Sequence, residues 1–289
     1  MTSQLDLLTQ INLDDLVTAF GWTNRPLLAR TLRRLFLRPA RDFARDMLDF
    51  DNSVGTRGLP EASRGMLEKY VSSLHVFGRE NLPASAFLAL SNHPGMTDTL
   101  SLFAALNRPN LKIIALDRPF LNALPNTEKR LFYVKDDSAS RMTLVRQVSA
   151  HLRSGGAALT FPAGHIEPDP DIYPGAVASL DDWTNSVGVF LRMAPETPIV
   201  PVLVRGVVRK NSARHLLLAT KKTKEEREKL TAALQLLAHV VFKQKNVHVR
   251  VQIGKPIYAR DLDSTETQVI HQAMLAEMKR LIKDEPEGD

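Results

Sequence analysis

The chain has 289 residues, 38 Lys plus Arg against 32 Asp plus Glu, no Cys and a formal charge of +6. That length gives one large domain or two smaller ones, with ample chain for a buried core. An apolar fraction of 44% and a charged fraction of 24% are ordinary for a globular protein and exclude wholesale disorder. The absence of Cys excludes disulfides, Cys-ligated zinc or iron–sulfur centres and a thiol nucleophile.

The N-terminal region, residues 1–70, reads as helical and then loop-like. Residues 1–20 carry Asp6, Asp14 and Asp15 and neither Lys nor Arg, which does not fit a secretory signal. Residues 25–45 then hold seven arginines against one acidic residue, Asp42, so this stretch accounts for the whole positive excess. At about 100° per residue, Arg30, Arg33, Arg34, Arg38, Arg41 and Arg45 fall on one arc. Leu28, Leu32, Leu35, Phe36, Phe43 and Met47 fall on the opposite one. Pro39 predicts a break into two short helices. Leu27 and Leu37 interrupt the basic side. Two readings stand side by side. One is a basic amphipathic surface facing an anionic membrane. The other is a helix docked by its apolar face on the protein's own core with its arginines solvated. Nucleic acid is not expected as a partner, because no recognition motif or stacking aromatics accompany the arginines.

Asn52 to Pro60 marks a boundary, dividing the chain into an N-terminal helical region, 1–70, and a second domain, 71–289. From there short apolar runs alternate with helical patterns. The strands are expected at 72–77, 86–91, 111–116, 131–134, 156–161, 199–205 and 246–253. The helices are expected at 97–107, 139–153, 181–193, 222–242 and 264–283. This alternation predicts an α/β fold: a largely parallel central sheet with helices on both faces. The charge run at 221–229 reads as a solvated helix face and the acidic tail 284–289 as frayed. No run approaches the roughly 20 apolar residues of a membrane-spanning helix, so a chain that is soluble or held on a surface is expected.

In open parallel sheets ligands bind beyond the carboxyl ends of strands, which directs attention to two loops. After 86–91 comes Ser91-Asn92-His93-Pro94-Gly95-Met96-Thr97-Asp98. Pro94 and Gly95 turn the chain, Thr97 is the expected N-cap of the next helix, and Asp98 lies within folding-back distance of His93. A carboxylate on one imidazole nitrogen fixes the tautomer and leaves the other nitrogen as a base. The helix N-terminus offers N–H groups to a developing oxyanion. A capping Asp beside an ordinary loop histidine would have the same spacing. After 156–161 comes Phe161-Pro162-Ala163-Gly164-His165-Ile166-Glu167, in which Gly164 permits close approach of a ligand to the backbone.

Together these segments resemble the glycerolipid acyltransferase family, which includes glycerol-3-phosphate and lysophosphatidic acid acyltransferases. The resemblance covers about residues 86–206 and is carried by Asn92, His93 and Asp98, then Phe161, Pro162 and Gly164, then Val200-Pro201-Val202. It implies His93 as general base and Asp98 as its orienter. It also implies substrate contacts from Asn92, Gly95, Phe161, Pro162 and Gly164. The chain departs from the family at Ala163, where Glu is usual, and at His165 and Ile166, where Thr and Arg are usual. The family's second motif is blurred in Leu131 to Asp136. Lys135 or Arg205 would then supply a lost positive charge, and Glu167 the lost carboxylate. His165 joins the same substrate-binding set.

The resemblance implies an acyl thioester donor, on coenzyme A or acyl carrier protein, as co-substrate. It implies a glycerolipid acceptor, no cofactor and no metal, and a cytoplasmic enzyme held peripherally on an anionic membrane by the arginines of residues 25–45. Two alternatives accompany it. In one, the same chemistry acts on a non-phosphorylated lipid alcohol. In the other, a non-catalytic lipid- or acyl-carrier-binding protein has the same fold.

Overall fold

The structure, a computed structural model, describes residues 3–135, 137–185, 187–209, 212, 215–221, 223–242, 245, 247–262, 264 and 266–284. The first residue of the expected helix 222–242, the first of the expected strand 246–253, Asp136 and tail residues 285–289 lie outside these.

Helix α1, Gln4–Phe20, starts at an N-cap, Ser3, whose hydroxyl accepts from the Asp6 N–H, and stops at Gly21 with φ of 72°. The expected break at Pro39 does not occur: α2 runs unbroken from Pro26 to Arg57. A proline inside a helix costs about 3 kcal/mol through one lost backbone bond and ring crowding. Packing around it outweighs that cost. Ala40, Phe43 and Ala44 are buried, and the Asn12 side chain on α1 donates to the Ala40 carbonyl at 3.2 Å.

The expected loop at Asn52 to Pro60 shrinks to one residue. Gly58, with φ of 85°, separates α2 from α3, Leu59–Tyr70. Buried Asp51 and Val54 hold the last turns of α2 in place. The Asp51 carboxylate accepts the Asn126 and Thr127 N–H groups at the start of a short helix, Pro125–Glu128. Leu59, Met66, Leu67 and Tyr70 of α3 belong to the same hydrophobic core as the central sheet.

The described residues form a sheet of seven strands: β1 Ser73–Phe77, β2 Phe87–Ser91, β3 Leu111–Leu116, β4 Leu131–Val134, β5 Ala157–Thr160, β6 Ile199–Arg205 and β7 His248–Ile253. Their order is β1-β7-β6-β2-β5-β3-β4. All neighbouring pairs are parallel except β6 with β7. The expectation of a largely parallel sheet with helices on both faces holds. Between the strands lie α4 Met96–Leu106, α5 Pro119–Asn122, α6 Pro125–Glu128, α7 Ser138–Arg153, α8 Val187–Met193 and α9 Lys224–Phe242, and after β7 comes α10 Thr267–Lys283.

Alternate strand residues feed opposite faces. Phe87, Ala89, Val200, Val202 and Val204 pack with α3 and α4; Leu88, Leu90, Ile199 and Leu203 pack with α7, α8 and α10. Buried on both sides, β2 and β6 are apolar up to their last residues, Ser91 and Arg205, as central strands are. The expected helix 181–193 is split into a 3₁₀ turn, Ala178–Asp182, and α8. Trp183 and Thr184 leave the helical path because their side chains bond the 161–167 loop. No helix among the described residues is long and apolar enough to cross a membrane.

The topology decides where the site lies. Strands β2 and β5 are parallel neighbours, Leu90 opposite Thr160. Their following loops therefore leave the same end of the sheet side by side, although some 70 residues separate them in sequence.

Candidate active site

The N-cap of helix α4 is Gly95, not the expected Thr97. The reason is Asp98. It is fully buried, and its Oδ2 reaches back to accept the Gly95 N–H at 2.9 Å, while Oδ1 accepts from the Thr99 hydroxyl at 3.0 Å and from the Thr99 N–H. Oδ2 also lies 2.8 Å from His93 Nδ1. An ionised carboxylate only accepts, so Nδ1 carries the hydrogen and Nε2 is the basic nitrogen. The His93 side chain is 30% exposed, so a base of fixed orientation opens to the surface from a closed loop.

Burial pushes the His93 imidazole down, but the charge and hydrogen bond of Asp98, helped by the charge of Glu167, outweigh it. The net pKa lies above the ordinary 6.5, even with the Arg118 charge acting against it. The ring sits against Phe161, centroids 4.7 Å apart, so an apolar wall stands beside the base. Burial pushes the Glu167 carboxyl up to about 7, against hydrogen bonds from Trp183, the His93 backbone and Ser179.

Asn92 and Glu167 hold this loop instead of facing outward. Asn92 is buried and pairs at both ends of its amide with the Val204 main chain, at 2.8 Å each way. It extends the β2–β6 ladder by one side chain. Glu167 is 1% exposed; its Oε2 accepts the His93 N–H at 3.0 Å and its own N–H donates to the His93 carbonyl at 2.9 Å. Gly95 presents its N–H to Asp98 and does not offer it to a ligand.

In the neighbouring loop, Gly164 has φ of 71°, a left-handed turn closed by its N–H on the Phe161 carbonyl. Buried Pro162 accepts from Thr184. His165 is exposed and lies 3.6 Å from Asp182, outside the His93–Asp98–Glu167 cluster.

The two expected cations part company. Arg205 is 2% exposed and points to the opposite face of the sheet, where it donates to the Leu281 and Ile282 carbonyls ending α10 and lies 3.6 Å from Asp171. It caps a helix and is closed to a ligand at His93. Lys135 is exposed at the end of edge strand β4, three strands from β2, or roughly 14 Å by ordinary strand spacing.

Arg118, which the motif reading passed over, stands just beyond β3 and its charge acts on His93. The signal for it was available: a basic residue two positions past a parallel strand. Trp183, Ser179 and Asp169 were also missed. Asp169 is buried and accepts the Gly206 and Val208 N–H groups at 3.0 and 2.8 Å, pinning the chain as it leaves β6. Nothing local in the sequence marks these contacts.

Behind the loop, Pro94, Gly95, Thr97 and Glu167 border a cavity of about 40 Å³ that Tyr173, Thr231 and His239 line from the other side. Among the described residues no three His, Asp or Glu side chains converge as metal ligands would.

On α2, Arg33 pairs with Asp14, Arg41 with Asp6 at 3.3 Å and Arg45 with Asp42 at 2.7 Å. Arg30, Arg34 and Arg38 are exposed and form no ion pair among the described residues. Beside them Leu27 is 75% exposed, Leu35 69% and Leu37 48%. Leu35 was expected on the packed arc and instead lies on this outward face.

No family model and no curated protein matches the chain. Among solved structures it is similar to the 1-acyl-sn-glycerophosphate (LPA) acyltransferase PlsC from Thermotoga maritima, at 14% identity over 97% of this chain and 98% of that one, with a TM-score of 0.47.

Proposed function

We propose that the chain is an O-acyltransferase. It moves a fatty acyl group from an acyl thioester, on coenzyme A or acyl carrier protein, to a hydroxyl of a glycerolipid precursor such as lysophosphatidic acid or glycerol-3-phosphate. The observation that carries this reading is the 2.8 Å bond from His93 Nδ1 to buried Asp98. It leaves Nε2 as the base in a half-open site beside a helix N-terminus. A merely structural histidine has no need of a fully buried carboxylate and an open second nitrogen.

The steps follow from those positions. His93 Nε2 takes the proton of the acceptor hydroxyl as the oxygen attacks the thioester carbonyl. Asp98 stabilises the imidazolium that forms. The first-turn N–H groups of α4 that Asp98 does not take are offered to the tetrahedral oxyanion. When the C–S bond breaks, the leaving thiolate takes the proton back from the imidazolium, so ester and free thiol form and the base is restored. No acyl-enzyme intermediate is required. Replacement of His93 (H93A) is expected to lower kcat about 10²- to 10⁴-fold in an assay of free-thiol release. Undiminished turnover, or no consumption of acyl thioester with any lipid acceptor, would sink the proposal.

The outward face of α2 supports a peripheral membrane site, with Arg30, Arg34 and Arg38 toward anionic headgroups and Leu27, Leu35 and Leu37 at the interface. A second reading, the non-phosphorylated acceptor, is favoured by the engagement of Arg205 with α10 and the distance of Lys135. Under the leading reading Arg118, whose charge reaches the base, is the cation that meets the phosphate. Changing Arg118 to Gln is then expected to raise KM for a phosphorylated acceptor about tenfold, one charge-assisted contact's worth. It should leave KM for an uncharged lipid alcohol within about twofold. Equal effects on the two acceptors favour the second reading.

A further inference from the structure

Residues 167–171 read Glu-Pro-Asp-Pro-Asp, and every second side chain reaches inward. Glu167 holds the His93 main chain, Asp169 holds the chain leaving β6, and Asp171 bonds Arg250 at 2.8 Å and lies 3.6 Å from Arg205. The first of the three touches the catalytic loop, and its surroundings are unusual. Oε2 accepts from the His93 N–H at 3.0 Å, and Oε1 accepts from Trp183 Nε1 at 2.8 Å and the Ser179 hydroxyl at 3.3 Å. The His93 N–H and the Trp183 Nε1–H can only donate, and they sit on opposite oxygens. An amide has one acceptor end and one donor end, so it leaves one of these buried donors without a partner, and a neutral carboxyl meets one of them only with the weaker acceptor of its hydroxyl oxygen, whose own hydrogen then needs a partner. An ionised carboxylate serves both.

We propose that Glu167 is a positioning residue for His93, holding the histidine main chain through its carboxylate from across the neighbouring loop. This rests on the assignment of His93 as the base. The charged groups facing the imidazole are Asp98 and Glu167, which favour its protonation, and Arg118, which opposes it. Trp183 and Ser179 on the far side of Glu167 are neutral. His93 is the ionisable group that acts on Glu167, so each of the two titrates in the field of the other.

The balance has a chemical consequence. Protonating Glu167 removes one of the two charges that favour the imidazolium and also breaks one anchor of its main chain. At mildly acid pH the base is therefore less firmly held but harder to protonate, so protonation of Glu167 carries the titration of His93 to lower pH.

The test is an NMR titration of the His93 imidazole in the full chain, wild type against E167Q. E167Q is expected to lower the imidazole pKa by at least about half a unit, the size of one partly screened charge nearby. It is also expected to cut kcat about tenfold or more with KM changed less than about threefold, and to move the acid limb of the pH–rate profile to lower pH. The second variant is W183F, which keeps the carboxylate and takes away one donor. It is expected to move the pH response of the His93 main-chain amide signal upward.

An imidazole pKa unchanged in folded E167Q, or a His93 amide signal indifferent to W183F, overturns the proposal. If E167Q does not fold, W183F decides alone. The NMR shifts need no turnover. Failure of every acyl thioester assay with the expected shifts intact would remove the acyl-transfer reading and leave the positioning role standing.

Discussion

The loop after β2 and the outer face of α2 both gather charge, and they treat it in opposite ways. In the loop, Asp98 is fully buried and its oxygens meet His93, Gly95 and Thr99, while Glu167 beneath is 1% exposed with three donors. On α2 three of the six arginines from Arg30 to Arg45 are drawn into ion pairs and the other three stand in solvent beside exposed leucines. A buried charge without partners is costly, so the loop has a fixed geometry, and His93 and Glu167 titrate above their usual pH. An exposed charge keeps its hydration and its mobility, and so remains available to a partner that supplies many opposite charges at once. The first arrangement suits the making and breaking of bonds; the second suits reversible attachment.

This contrast orders the expected effects. The largest belongs to the loop. D98N is expected to lower kcat about 10²- to 10⁴-fold, because the introduced amide no longer compels the Nδ1–H tautomer or stabilises an imidazolium. It carries a sign that separates it from simple loss of structure. Asp98 holds the imidazole above its ordinary 6.5. In the wild type the base is therefore protonated and idle at low pH, and activity rises as pH climbs through the raised pKa. Without the carboxylate charge that limb moves to lower pH. A limb that moves up, or stays, would break the contrast.

Next comes Arg205, buried as the loop residues are but on the far face of the sheet. R205A is expected to cost about 3 kcal/mol of stability by denaturant unfolding, since it strands the α10 carbonyls and half of the Asp171 pairing. KM for a phosphorylated acceptor should stay the same. A raised KM in a stable variant would restore it as a ligand for substrate. The smaller effect belongs to α2. R30Q/R34Q/R38Q is expected to weaken co-sedimentation with anionic vesicles about 100-fold, from about 1 kcal/mol per arginine, and less at high salt. R33Q, whose partner is Asp14, should change vesicle binding hardly at all. Equal losses from R33Q and R34Q would show that pairing with α1 does not divide the face.

The strands were legible almost to the residue because their signal is local: buried parallel strands are short unbroken apolar runs between turns, and β3, β4 and β6 begin and end where the pattern says. His93 and Asp98 were legible because five residues across a strand-to-helix turn fix their separation. What failed was decided by contacts across the chain. Pro39 stays helical because Asn12 and buried neighbours of α2 hold it, and the 181–193 pattern splits because Trp183 is needed at Glu167. Arg205 reads as a cation at a strand end in the sequence; only the alternation of β6 side chains sends it to α10 instead of to the loop. Glu167 was noticed as a possible stand-in for a family carboxylate, but its bond to the His93 main chain spans 74 positions and no local pattern contains it.

The place of β7 in the sheet has a consequence for how the molecule comes into being. The last strand lies between the first and the sixth, parallel to one and antiparallel to the other. During synthesis β1 has no neighbour to bond until about 170 further residues have been made, and β6, once made, shows one bare edge until β7 follows it. A ribosome paused before His248 would display two unpaired strand edges, the kind of surface that invites aggregation or a chaperone. Assembly of the sheet thus ends with its C-terminal strand, and a nonsense mutation ahead of β7 would cost the sheet its closure even though His93, Asp98 and Glu167 had all been made.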